Sequence, residues 1–157
     1  MAGKTHSAFH FVLPDGFEAD WLALRVALWP EALEDEHRDG MADARRRGHL
    51  VLLARNVERT VGLVEASVRH DYVNGTRGSP VGFLEGLYVV PESRRLGVAR
   101  SLVARAAAWA LERGCVEFAS DSLLDNVEAH AVHRAMGFEE SERVVYFRRT
   151  LQRPHRT

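Results

Sequence analysis

Leu84-Glu85-Gly86-Leu87-Tyr88-Val89-Val90-Pro91-Glu92-Ser93-Arg94-Arg95-Leu96-Gly97-Val98-Ala99 joins an apolar strand to a helix through a basic, glycine-containing turn. The first N–H groups of a helix have no intrahelical partners and the dipole is positive there, so such a start holds an anion with backbone atoms. Gly97 lets a phosphate come close, and Arg94, Arg95 and Arg100 add charge. No Gly-Lys-Ser/Thr follows, which excludes a Walker loop, and the three-glycine dinucleotide pattern is missing. An ordinary charged loop before an ordinary helix has the same outline, so the turn alone does not name a ligand.

Working outward, Val81 to Val90 reads as a long strand interrupted by Gly82 and Gly86, and glycine inside a strand marks a bulge or a close backbone approach. Ala99 to Arg113 carries Leu102, Ala106, Trp109 and Ala110 on one helical face and closes at Gly114. Upstream lie a short strand Phe9 to Leu13, a helix Glu18 to Trp29 stopped by Pro30, a polar and loosely packed helix Leu33 to Arg47, and strands Leu50 to Arg55 and Val61 to Tyr72 around the Asn56-Val57-Glu58-Arg59 hairpin. Downstream come a strand Val116 to Ser120, a helix Val127 to Met136 ended by Gly137, and a last strand Glu142 to Leu151. The order predicts a mixed α/β layer structure, a mostly antiparallel central sheet flanked by helices, with residues 1–157 as one domain.

The bulk composition narrows the function. Lys plus Arg number 21 against 22 Asp plus Glu, a balance with no field for a polyanion, so nucleic acid is not expected as a partner. The lone Cys115 suits a reducing compartment and reads as a small buried hydrophobe; it cannot form an internal disulfide or a metal site alone. No stretch reaches the ~18 apolar residues of a membrane span and the N-terminus has no apolar signal core, so a cytoplasmic protein without metal is expected.

The Arg94-x-x-Gly97-x-Ala99 turn after an apolar strand, with Asn126 before a helix ending in Met136-Gly137-Phe138, resembles the two signature motifs of GNAT acetyltransferases. That resemblance implies the GNAT acyl-CoA fold, with acetyl-CoA pyrophosphate on Arg94, Arg95, Leu96, Gly97, Val98, Ala99 and Arg100. Its pantetheine arm would pair like an added strand with Leu87, Tyr88 and Val89 where the strand splays from its neighbour, and Asn126 would bond the pantetheine or orient the acceptor.

The runs Val64 to Tyr72, Ser79 to Gly86, Glu117 to Asp121 and Gly137 to Phe147 are further similar to aminoglycoside 6′-N-acetyltransferases. This likeness implies acetylation of the 6′-amine of an aminoglycoside, which gives antibiotic resistance. A polycation with many hydroxyls needs carboxylates and an aromatic plane. Carried over by position, Trp29, Glu85, Asp121 and Glu142 bind substrate from one subunit, and Tyr72 reaches in from its neighbour in a homodimer. Taken singly, Trp29 is also an ordinary core cover, Glu142 a surface strand residue and Asp121 a cap or turn residue. Glu85, inside an apolar strand, needs a cationic partner or ligand.

For chemistry, Asp121 is the candidate to bind the ammonium and accept its proton, and a backbone N–H of Leu87 to Val89 to polarise the thioester carbonyl. The family carries a tyrosine acid four residues before the closing glycine; this chain has His133 there, which can donate a proton at neutral pH. The segment Ala32 to His37 also departs from the aminoglycoside enzymes, which can carry a substrate-binding histidine soon after the tryptophan, and leaves open whether His37 replaces it. Rival readings are a GNAT enzyme for a polyamine, an amino-acid amine or a protein N-terminus, an acyl-CoA sensor without turnover, and a structural module with a fortuitous basic turn.

Overall fold

The computed structural model describes residues 8–152. Its elements run β1 (His10–Val12), α1 (Glu18–Leu28), α2 (Glu34–Arg46), β2 (Leu50–Arg55), β3 (Thr60–Arg69), β4 (Val81–Val89), a 3-10 turn (Pro91–Ser93), α3 (Val98–Glu112), β5 (Phe118–Ala119) and α4 (Val127–Ala135). The strands form one sheet in the order β1-β2-β3-β4-β5, antiparallel throughout except for the parallel pair β4–β5, whose connection needs a crossover and uses α3.

Alternation along β3 explains the two layers. Val64 and Ala66 face α3 and join Val98, Leu102, Val103 and Ala106 in one core. Leu63, on the opposite face, packs with Trp21, Leu24, Ala44, Val51 and Leu53 under α1 and α2. Trp21, Leu53 and Leu63 are fully buried, and burying side chains of this kind contributes about 1.5–3 kcal/mol each. The polar helix α2 is not the loose cover its composition suggests, because it also buries His37 and Ala44.

Both strand glycines act as expected, each by a different means. A Cβ on Gly82 would lie 2.6 Å from the Ala110 Cβ, so that glycine permits close packing of α3 on the sheet. Gly86 sits beside a register shift: Glu65 pairs with Gly86 but Ala66 with Leu84, leaving Glu85 as the extra, bulged residue. A Cβ on Gly86 would lie 2.7 Å from the Trp29 ring.

One expected element is absent. Among the described residues, Glu142 to Leu151 forms no strand. The apolar run Val144-Val145-Tyr146-Phe147 is exposed, with Phe147 93% accessible. A strand exists only with a partner, and β5 is two residues long, so among the described residues nothing completes its ladder.

Candidate active site

The basic turn has the shape its sequence implies. Gly97 caps α3 in the left-handed region at φ 81° with no side-chain cap, so the first-turn amides keep their donors, and nothing lies within 4 Å of where its Cβ would be. Arg95 is left-handed too, at φ 61°. The arginines differ in freedom. Arg94 donates from Nε to the Val89 carbonyl at 2.9 Å and Arg100 from Nη2 to the Ala135 carbonyl at 3.0 Å, whereas Arg95 has no hydrogen-bond partner among the described residues.

Upstream of the turn, β4 and β5 separate. They pair only at Gly82–Phe118 and Phe83–Ala119, so Leu87, Tyr88 and Val89 are paired with β3 on one edge and have no strand on the other. A short edge strand that diverges leaves backbone N–H and C=O groups open to an added extended chain.

On the α1–α2 side of the sheet, a cleft of about 180 Å³ is lined by Arg25, Trp29, Asp43, His49, Glu65 and Glu85. Glu65, Ser67 and Arg69 alternate onto this face of β3, and the bulge brings Glu85 to them. Glu85 accepts from Ser67 Oγ at 2.5 Å and from Arg69 Nη2 at 3.0 Å at both oxygens, so its required cation is supplied within the chain. Arg69 also stacks on Phe83, 3.5 Å from the ring centroid.

Glu65 is buried more deeply, with Arg25 Nη1 donating to its two oxygens at 2.6 and 2.5 Å and Trp21 Nε1 to Oε1 at 2.6 Å. Their side chains are 11% and 4% exposed. Arg25 lies 4.7 Å over the Trp29 ring, which also lines the cleft. Asp43 is held below the usual carboxylate range: its partial desolvation opposes ionisation, but Arg47 and Arg46 outweigh it.

At the tip of β5, Asp121 is exposed and has no ion-pair partner among the described residues. Its neighbour Ser120 is hydrogen-bonded to His133, with Oγ 2.8 Å from Nε2, while His133 Nδ1 is 2.7 Å from the Ala129 carbonyl. Asn126 caps α4, its Oδ1 accepting from the Ala129 N–H at 3.0 Å, which leaves the amide NH₂ for a ligand.

The acetyltransferase (GNAT) family pattern matches residues 14–138. The chain belongs to the GNAT family. Aminoglycoside N(6′)-acetyltransferase type 1 of Acinetobacter baumannii is 50% identical to this GNAT chain over 135 residues, 85% of this chain and 92% of that one. The enzyme of the same name from Stenotrophomonas maltophilia is 52% identical over 136 residues, covering 85% and 88%. Among solved structures, the apo aminoglycoside antibiotic 6′-N-acetyltransferase AAC(6′)-IG from Acinetobacter haemolyticus matches with a TM-score of 0.85 at 44% identity, covering 92% of this chain and 99% of that one. AAC(6′)-Iy in complex with the bisubstrate analog CoA-S-monomethyl-acetylneamine matches at 0.83 and 39%, covering 92% and 98%.

Not every expected residue of the GNAT site converges. Trp29 and Glu85 share the cleft, whereas Tyr72 is 76% exposed and Glu142 lies on the unpaired C-terminal arm. His37, on α2, is buried at 1% exposure and does not line the cleft. Four of the polar lining residues went unread in the sequence: Arg25, Asp43, His49 and Glu65. Glu65 carried a usable signal, since it interrupts an apolar strand as Glu85 does. Asp43 and His49, in a polar helix and its exit, carried none.

Proposed function

We propose that this GNAT protein transfers acetyl from acetyl-CoA to the 6′-amino group of aminoglycosides, so conferring resistance to them. The observation that carries the reading is an open β4 edge running from the acidic Trp29–Glu85 cleft into the Gly97 turn, in a chain half identical to enzymes named for this reaction. The residues present fit acetyl-CoA: the space outside Gly97 admits a phosphate against the first amides of α3, and Arg95 is free to pair with it. Bound there, acetyl-CoA supplies the activated acyl group.

The chain's own groups then have distinct tasks. Asp121 holds the substrate ammonium and takes its proton, directly or through water, so that the amine is freed beside the acyl carbon. A backbone N–H of Leu87 to Val89 donates to the carbonyl oxygen as charge develops there. His133 is the proton source on the thiol side. Asn126 presents its amide NH₂ to the pantetheine. Trp29 offers a sugar-sized plane, and Glu85 accepts an ammonium in exchange for Arg69.

The cleft is smaller than the about 300–1,000 Å³ of drug-sized pockets, and a second copy of the chain is the proposed remainder of the site. Support comes from the arm: Val145, Tyr146 and Phe147 are exposed together, an apolar run suited to an interface. In the homodimer this face is covered, Glu142 is ordered beside substrate, and Tyr72 of the partner subunit reaches in. The thiol of Cys115, buried and pushed up in pKa by desolvation, suits a reducing cytoplasm.

The deciding experiment is thiol release from acetyl-CoA by purified protein with kanamycin, tobramycin, a 6′-hydroxyl analogue and spermidine. Release with the 6′-amino drugs alone is expected. Activity with spermidine alone would move the enzyme to polyamines, and silence throughout would leave a sensor.

A further inference from the structure

The pair Ser120–His133 lies where the two strands diverge. Ser120 directly follows the last paired residue of β5, Ala119, and its Oγ is 3.5 Å from the Leu84 carbonyl, across the apex of the gap. Acetyl-CoA phosphates held at the α3 start would send the pantetheine arm back along β4 from Val89 towards Leu84. That path is roughly 17 Å at about 3.3 Å per residue, so the sulfur of an extended pantetheine would come near the apex.

The hydrogen bonds fix which protons are available. A carbonyl only accepts, so the bond from His133 to Ala129 O requires a hydrogen on Nδ1. The ring is further held edge-on against Phe138, with centroids 5.4 Å apart. In the neutral ring Nε2 is therefore an acceptor, and the Ser120 hydroxyl points its hydrogen at it. In the imidazolium Nε2 becomes the donor, and the Ser120 hydrogen turns towards the gap. Protonating His133 thus makes Ser120 a hydrogen-bond donor to whatever occupies the apex.

We propose that Ser120 is the catalytic acid that protonates the departing thiolate, with His133 as the positioning residue that recharges it, a role that rests on the acetyl-transfer reading above. The amine lone pair forms the C–N bond while the C–S bond breaks and its electrons stay on sulfur. Sulfur takes the Ser120 hydroxyl proton, and Ser120 takes the Nε2 proton of His133, which is left neutral and still bonded to Ala129. The substrate ammonium loses two protons in becoming an amide. One equals the proton now on sulfur and is returned to His133 through solvent; the other is released.

The test compares single-turnover acetyl transfer by wild type, Ser120→Ala, Ser120→Thr and His133→Gln, with acetyl-CoA affinity measured by calorimetry. Ser120→Ala should slow transfer on the order of 10²-fold with acetyl-CoA affinity unchanged, and Ser120→Thr, which keeps the hydroxyl, should recover most of the rate. His133→Gln keeps a donor but not a titratable proton, and should also be slow. The second readout uses the selenoester analogue of acetyl-CoA, whose selenolate leaves without needing a proton; with it the Ser120→Ala deficit should fall below about tenfold. A wild-type rate in Ser120→Ala, or the same deficit with both donors, would overturn the assignment while leaving acetylation intact. Wild-type protein that binds acetyl-CoA but acetylates no 6′-amino drug would instead sink the parent reading, before any variant is made.

Discussion

The two flanks of β4 are built on opposite terms. Towards α1 and α2 its bulge presents Glu85 to Arg69 and Ser67, next to Glu65 held by Arg25 and Trp21, so the acidic groups are already neutralised inside the chain. Towards β5 the edge from Leu87 to Val89 is unpaired and leads to helix amides with no cap. A backbone site for an extended ligand can wait open because water satisfies its groups, whereas buried carboxylates cannot wait without counter-ions. On the proposed reading the donor flank is ready to bind, and the acceptor flank must exchange one cation for another.

The sharpest way to break this contrast is Glu65→Ala, which strands the Arg25 guanidinium and the Trp21 N–H in a buried site. It should destabilise the fold by about 3–5 kcal/mol in urea denaturation, the cost typical of an uncompensated buried charge. A loss under about 1 kcal/mol would mean that Arg25 reaches water on its own. Asp121→Ala, on an exposed residue, should leave stability within about 0.5 kcal/mol and lower kcat on the order of 10²-fold, with acetyl-CoA binding retained. Wild-type turnover there would remove Asp121 from the chemistry.

Gly97→Asp puts a side chain at φ 81° and a negative charge beside the phosphate, and should weaken acetyl-CoA binding at least about tenfold in calorimetry; unchanged affinity would take the cofactor off that turn. Arg69→Gln releases Glu85 and should lower the aminoglycoside KM by about threefold, in keeping with a half-exposed pair. A raised KM would show Arg69 itself binding substrate. The smallest effect is expected at Cys115: its raised pKa and burial favour the neutral thiol, so the native protein should react with a disulfide reagent at pH 8 far more slowly than the urea-unfolded chain.

The elements legible in the sequence are those set by local rules. Gly97 and Gly114 bound α3 because both are left-handed, Asn126 caps α4, and Asn56 accepts from the Glu58 and Arg59 amides in the hairpin. The strand predicted over Glu142 to Leu151 failed because four consecutive apolar residues define a strand only when something pairs with them. His37 illustrates the limit for side chains: it sits in a stretch rich in charge, yet the folded chain buries it.

By itself the sequence determined the order of elements as far as α4, the glycine-capped basic turn and the family, since helix starts, left-handed glycines and motif spacing depend on neighbours a few residues apart. Only the tertiary structure decided that Glu65 is neutralised by Arg25 across 40 residues, that the bulge turns Glu85 to Arg69, and that Ser120 meets His133. Those contacts depend on sheet register and on how a helix crosses it, and a shift of one residue in register would send each of these strand side chains to the opposite face.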